Sequence, residues 1–112
     1  MKIAFTSKGR DWDSQIDPRF GRTEYILVYD QLKDSIESYD NTETASMEHG
    51  VGPKTAQKFF DLKVNKVITG NGPGDNAANV LDISGIEVFT GAEGMTVKEA
   101  WLAFSNNKLK KM

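Results

Sequence analysis

Apolar residues fall in short runs early in the chain and at helical spacing later. Residues 1–7, rich in β-branched and aromatic side chains and stopping short of Gly9, predict a strand. Residues 24–30, EYILVYD, are apolar almost throughout, as in a strand buried on both faces. Residues 35–41, SIESYDN, alternate less cleanly after a turn at Lys33-Asp34 and read as an edge strand. An antiparallel meander of these three is expected. Residues 8–23 between them show no period and contain Gly9, Pro18 and Gly21, which predicts a long loop of the kind that often carries function.

The pattern then changes. Residues 42–49 are polar and expected to be mobile. Gly52 suits a helix N-cap and Pro53 the first helical position, with Ala56, Phe59, Phe60 and the stem of Lys63 facing inward. KVITG is a short buried strand. GDNAANVLDIS follows as a helix with Ala77, Ala78 and Leu81 inward and Gly85 as its stop. IEVFTG is the last strand. Thr96 and Glu99 form a capping box for a third helix, with Val97, Ala100, Trp101 and Phe104 on its apolar stripe. The order is β-β-β-α-β-α-β-α: one α/β domain over residues 1–112, with a mixed five-stranded sheet flanked by helices.

Composition narrows the chemistry. At 112 residues, 38% hydrophobic and net charge -2, the chain can bury one modest core and has no charge bias towards nucleic acid or membrane surfaces. No apolar run approaches the roughly 20 residues of a membrane span, and the start does not resemble a signal peptide, so a cytoplasmic protein is expected. There is no cysteine and one histidine, His49. Disulfides, zinc–thiolate sites and thiolate-held iron–sulfur clusters are thereby excluded within the chain.

The stretch KVITGNGPGDNAANVL places Gly70, Gly72, Pro73 and Gly74 between a strand and a helix. In open α/β sheets ligands sit beyond the carboxyl ends of strands, and helix N-termini offer free N–H groups and a positive dipole end. A second such start, HGVGP, precedes the first helix, and Arg10, Arg19 and Arg22 lie in the long loop. Together these favour an anion; turn geometry alone is the plainer reading of the glycines. Known phosphate motifs fit poorly, because Asp75 stands where a dinucleotide fingerprint needs glycine and Pro53 where a Walker motif does. Asp11, Asp13 and Asp17 resemble part of a calcium loop but lack its glycine and final glutamate, and are expected to be a solvated face. Trp12 is expected to pack, and Trp101 to lie in the core. No Ser/His/Asp set or carboxylate pair assembles around His49.

The segments DPRFGRTEYILVYD, HGVGPKTAQKFFDLKVNKVITGNGPGDNAANVLDISGIEVFTG and TVKEAW resemble the dinitrogenase iron–molybdenum cofactor biosynthesis family, which includes NifX and the C-terminal domain of NifB. The resemblance implies a ribonuclease-H-like fold. It also implies a non-catalytic carrier of an iron–molybdenum, iron–sulfur or molybdenum-containing cluster, with donor and acceptor proteins as partners. Such cargo is anionic, in line with the site read from the residues. Candidate binding residues are Arg19, Arg22, His49, Gly50, Gly52, Gly70, Asn71, Gly72 and Gly74, with His49 the one possible metal ligand. Phe20 is expected to pin the loop to the core. Two alternatives stand beside the carrier: an interaction module without cargo, and a nuclease, which the absence of an acid from the first strand opposes. A monomer or weak dimer is expected.

Overall fold

The computed structural model describes all 112 residues. Strand β1 (Lys2–Ser7) is central. It pairs antiparallel with β2 (Tyr25–Asp30) on one side and parallel with β4 (Lys66–Ile68) on the other. β3 (Ser35–Asp40) continues the meander antiparallel to β2, and β5 (Glu87–Thr90) runs parallel to β4. A sixth strand, β6 (Lys110–Lys111), pairs antiparallel with β5 and completes the order β3-β2-β1-β4-β5-β6. The expected sheet of five therefore gains one. Two consecutive lysines carry no apolar alternation, and their pairing rests on main-chain bonding along the open edge of β5.

Alternation along β1 sorts the core into two layers. Ala4 faces a cluster with Ile26, Val28, Ala56, Phe59, Val67, Ala77, Leu81 and Val88, under helices α2 (Val51–Asp61) and α3 (Asp75–Ile83). Ile3 and Phe5 face the other side, with Leu27, Ile68, Val97 and Ala100, under α4 (Val97–Ser105). The sheet is thus sandwiched between helices, a mixed α/β architecture. Trp101 is only partly buried against the second cluster, edge-on to Tyr29. The capping box of α4 is complete: Glu99 N donates to Thr96 Oγ1 at 3.1 Å and Thr96 N to Glu99 Oε1 at 2.9 Å.

Several expectations shift. A single helical turn, α1 (Thr42–Ala45), occupies the start of the polar segment, with Thr44 buried. α2 begins one residue before Gly52, its N-cap being Gly50 in the left-handed region at φ 71°. Pro53 is consequently the third helical residue. Phe60 falls outside the apolar stripe and is 51% exposed, while Lys63 lies past the helix end at φ 60°. The loop 8–23 is tied down by Lys8 N to Gln15 O, Ile16 N to Met95 O, Asp17 N to Thr6 O and Val97 N to Ser14 O. Trp12 packs edge-on against Phe5 and Tyr29, and Phe20 lies in the core 5.3 Å from Phe59 between ring centres.

Candidate functional site

The carboxyl ends of β1 and β4 lead into the two segments that build the site. After β1 the loop turns at Asp17, whose side chain is fully buried. The expected solvated face does not hold for this residue. Its carboxylate accepts from Arg19 N at 3.0 Å, Arg19 Nε and Nη2 at 3.1 Å each, and Glu24 N at 3.1 Å. Four donors compensate the burial of a charge that would otherwise be costly. The pairing with Asp17, first by hydrogen bonding and then by charge, raises the Arg19 guanidinium above its ordinary pKa.

Beyond Arg19 the backbone itself makes the contacts. A Cβ placed on Gly21 would stand 3.0 Å from Gly52 Cα and 3.2 Å from Gly52 N, so only glycine fits without displacement of the α2 backbone. Gly21 O accepts from Thr55 Oγ1 at 2.7 Å. Buried Asn41 donates to Thr23 O and Thr55 Oγ1, and accepts from Lys58 Nζ at 2.6 Å. Burial, with the nearby Lys54 charge second, lowers the Lys58 pKa. Arg22 Nη1 donates to Ala45 O at 2.8 Å and to Met47 O at 3.0 Å, fastening the segment that precedes α2. Sequence reading missed this network. The residues that form it, Asn41, Thr55 and Asp17, are small polar residues indistinguishable in sequence from surface positions.

The second segment follows β4. A Cβ on Gly70 would lie 2.7 Å from Pro18 Cα, and Asn71 N donates to Pro18 O at 2.8 Å, so loop 8–23 rests directly on the glycine loop. Gly74 is the extended N-cap of α3. The first turns of the two helices touch: a Cβ on Gly52 would meet Ala77 Cβ at 3.4 Å. Gly21, Gly52 and Ala77 therefore form a continuous contact, and the helix starts sit side by side. They do not diverge: Gly50, Asn71, Gly72 and Gly74 are exposed, while Val51 and Ala77 are buried and the Met112 side chain lies on Gly72.

These starts differ from that of α4. Neither α2 nor α3 has a side-chain cap, whereas α4 has its full box. The amides of Val51, Gly52, Asp75, Asn76 and Ala77 have no acceptor within the protein. α2 also lacks an acidic residue in its first turn and carries Lys54 there, the sign opposite to what the helix dipole favours. α3 has Asp75, which offers some compensation. An anion supplied from outside would answer the unpaired donors of α2 in particular.

The predicted arginines are placed differently from the glycines. Arg19 and Arg22 are exposed, but Arg19 is paired with Asp17 and Arg22 Nη1 with two carbonyls. His49 is exposed immediately before the N-cap of α2, and no group of three or more His, Asp or Glu side chains gathers to hold a metal ion. The unpaired amides suit an anion held as a whole. A groove of about 520 Å³ lies elsewhere, between α3 and β5–β6, and shares only Pro73 with the glycine loop.

The family model described as dinitrogenase iron-molybdenum cofactor matches residues 1–107. The chain belongs to that family. Two solved structures resemble this family member along nearly its whole length. The apo form of the orange protein from Desulfovibrio gigas is 32% identical with a TM-score of 0.92, covering 99% of this chain and 92% of its own. A putative NifB protein from Thermotoga, solved by NMR, is 36% identical with a TM-score of 0.84, covering 98% and 91%. No curated protein matches. No helix of this family member is long and apolar enough to cross a membrane.

Proposed function

We propose that the chain is a non-catalytic carrier that holds an anionic metal–sulfur cluster at the joined starts of α2 and α3 and passes it between a donor and an acceptor protein. One observation carries this reading: two adjacent helix N-termini with unpaired amides, beside a third helix in the same chain that is fully capped. Family membership supports a role in iron–molybdenum cofactor biosynthesis or carriage, and the resemblance to an orange protein and a putative NifB protein agrees with it. Amides of Val51, Gly52 and the Gly72–Ala77 segment would face the cargo, with Gly70 and Asn71 shaping the loop. The free nitrogens of Arg22 and Arg19 would add charge at the rim, and His49 would supply a single soft nitrogen donor. Held without thiolates, such cargo leaves as readily as a carrier requires. The order β3-β2-β1-β4-β5 supports the ribonuclease-H-like architecture, while β1 lacks the carboxylate that ribonuclease-H chemistry needs. A monomer or weak dimer acting in the cytoplasm fits this role.

The test is retention of a coloured anion. After anaerobic incubation with tetrathiomolybdate or an iron–sulfur cluster, the protein should elute from gel filtration with visible absorption. Colourless protein under both conditions would refute the carrier and favour an interaction module.

A further inference from the structure

The last strand carries a side chain onto the glycine loop. Met112 N donates to Val88 O at 2.9 Å and Thr90 Oγ1 to Lys110 O at 3.4 Å, while Lys111 and Lys66 both form ion pairs with Glu87. This seating lays the Met112 thioether on Gly72: a Cβ there would lie 2.7 Å from Sδ and 3.3 Å from Cε. The absence of a side chain at Gly72 is what admits the sulfur. Yet the seat is slight. β6 pairs through two residues, both exposed, and Met112 itself is 58% exposed. Short edge elements of this kind open locally at low cost. A thioether provides no hydrogen-bond donor to an anion, and here it covers Gly72, two residues before the N-cap of α3. The groove between α3 and β5–β6 is lined by Met112, Lys111, Pro73 and Leu81, so a displaced thioether has room to move into without unfolding anything.

We propose that Met112 is a movable cover on the Gly72 loop, seated by β6 and tethered through Glu87, and that an anion docking at the start of α3 displaces it into the neighbouring groove. This inference rests on the carrier reading above. It adds to the site a residue that no sequence pattern singles out.

The experiment uses the full chain labelled with ¹³C at methionine methyls, titrated anaerobically with tetrathiomolybdate. Met1 and Met95 serve as internal references. The Met112 methyl resonance should move with the same midpoint as the colour, and the Met112 amide should exchange faster in the loaded protein. Met112→Ala removes the cover and Glu87→Gln weakens its tether; each should bind about two- to fivefold more tightly, the range for loss of an exposed ion-pair-sized restraint. Met112→Leu keeps the volume without the sulfur and should bind like wild type. If the anion binds but Met112 stays still and Met112→Ala is unchanged, the cover is wrong and the carrier stands. Loss of binding in both Met112→Ala and Met112→Leu would make the thioether a ligand and overturn the cover. Tighter binding by Met112→Ala with wild-type binding by Met112→Leu supports the cover; no binding by wild type or by any variant overturns both proposals.

Discussion

Gly21 and Gly52 meet backbone to backbone, the would-be Cβ of one standing 3.0 Å from the Cα of the other. This contact seats the long loop against the start of α2, and it gives the first prediction. Gly21→Ala must push backbone aside and should cost about 1–3 kcal/mol, as overpacking does. Gly52→Ala meets only Ala77 Cβ at an ordinary 3.4 Å and should be neutral or slightly stabilising. Urea midpoints of the two variants check the contrast; equal losses would contradict it.

Arg22 fixes the segment before α2 through two carbonyl acceptors. Arg22→Ala should speed hydrogen exchange around residues 45–50 and lower stability by about 0.5–1.5 kcal/mol, the usual worth of such bonds. Anion retention should fall too, through loss of charge and of order at the helix start. Arg22→Lys should restore charge without the planar fork, and so recover retention only in part.

Asp17 is the buried anchor of the loop. Asp17→Ala orphans Arg19 N and Glu24 N and should cost about 1–3 kcal/mol for those amides. Loss of the Phe20–Phe59 contact in methyl and aromatic nuclear Overhauser spectra would report the same event. An unchanged melting temperature would show the loop to be held from elsewhere.

Glu87 makes stability depend on pH. Hydrogen bonds from Lys111 and Lys66 hold its carboxyl down at about 2, against an ordinary 4.5. A depressed carboxylate stabilises the fold fully above its unfolded value, and that contribution is lost as pH falls from 4.5 towards 2. Glu87→Gln should therefore flatten the decline of stability within that window, most visibly at low salt because the pairs are open to solvent on the Lys111 side. Parallel pH profiles for wild type and variant would contradict the tether.

Much of the architecture was legible because its signals are local. The double-faced apolar run of β2, the β-branched and aromatic residues of β1 and the Thr96–Glu99 box each need no partner to be recognised. β6 was illegible because two lysines acquire strand geometry only from the edge they meet. Phe60 was misassigned because the buried face of α2 runs through Val51, Thr55, Ala56 and Phe59, and Thr55 carries no apolar mark that would centre the stripe there. At the site, glycines and helix starts could be read from sequence, and they do come together. The partners of Arg19, Arg22 and Asp17 could not, since a charged side chain in a loop carries no mark of the acceptor it will find.

The central claim is that the uncapped starts of α2 and α3 bind a metal–sulfur anion jointly. The most direct measurement is an amide ¹H–¹⁵N titration of the apo chain with tetrathiomolybdate under anaerobic conditions. Saturable shifts sharing one midpoint at Val51, Gly52 and Gly72–Ala77, with Val97–Glu99 of capped α4 unmoved, are the predicted result. Shifts confined to other surfaces, or equal at α4, would contradict it.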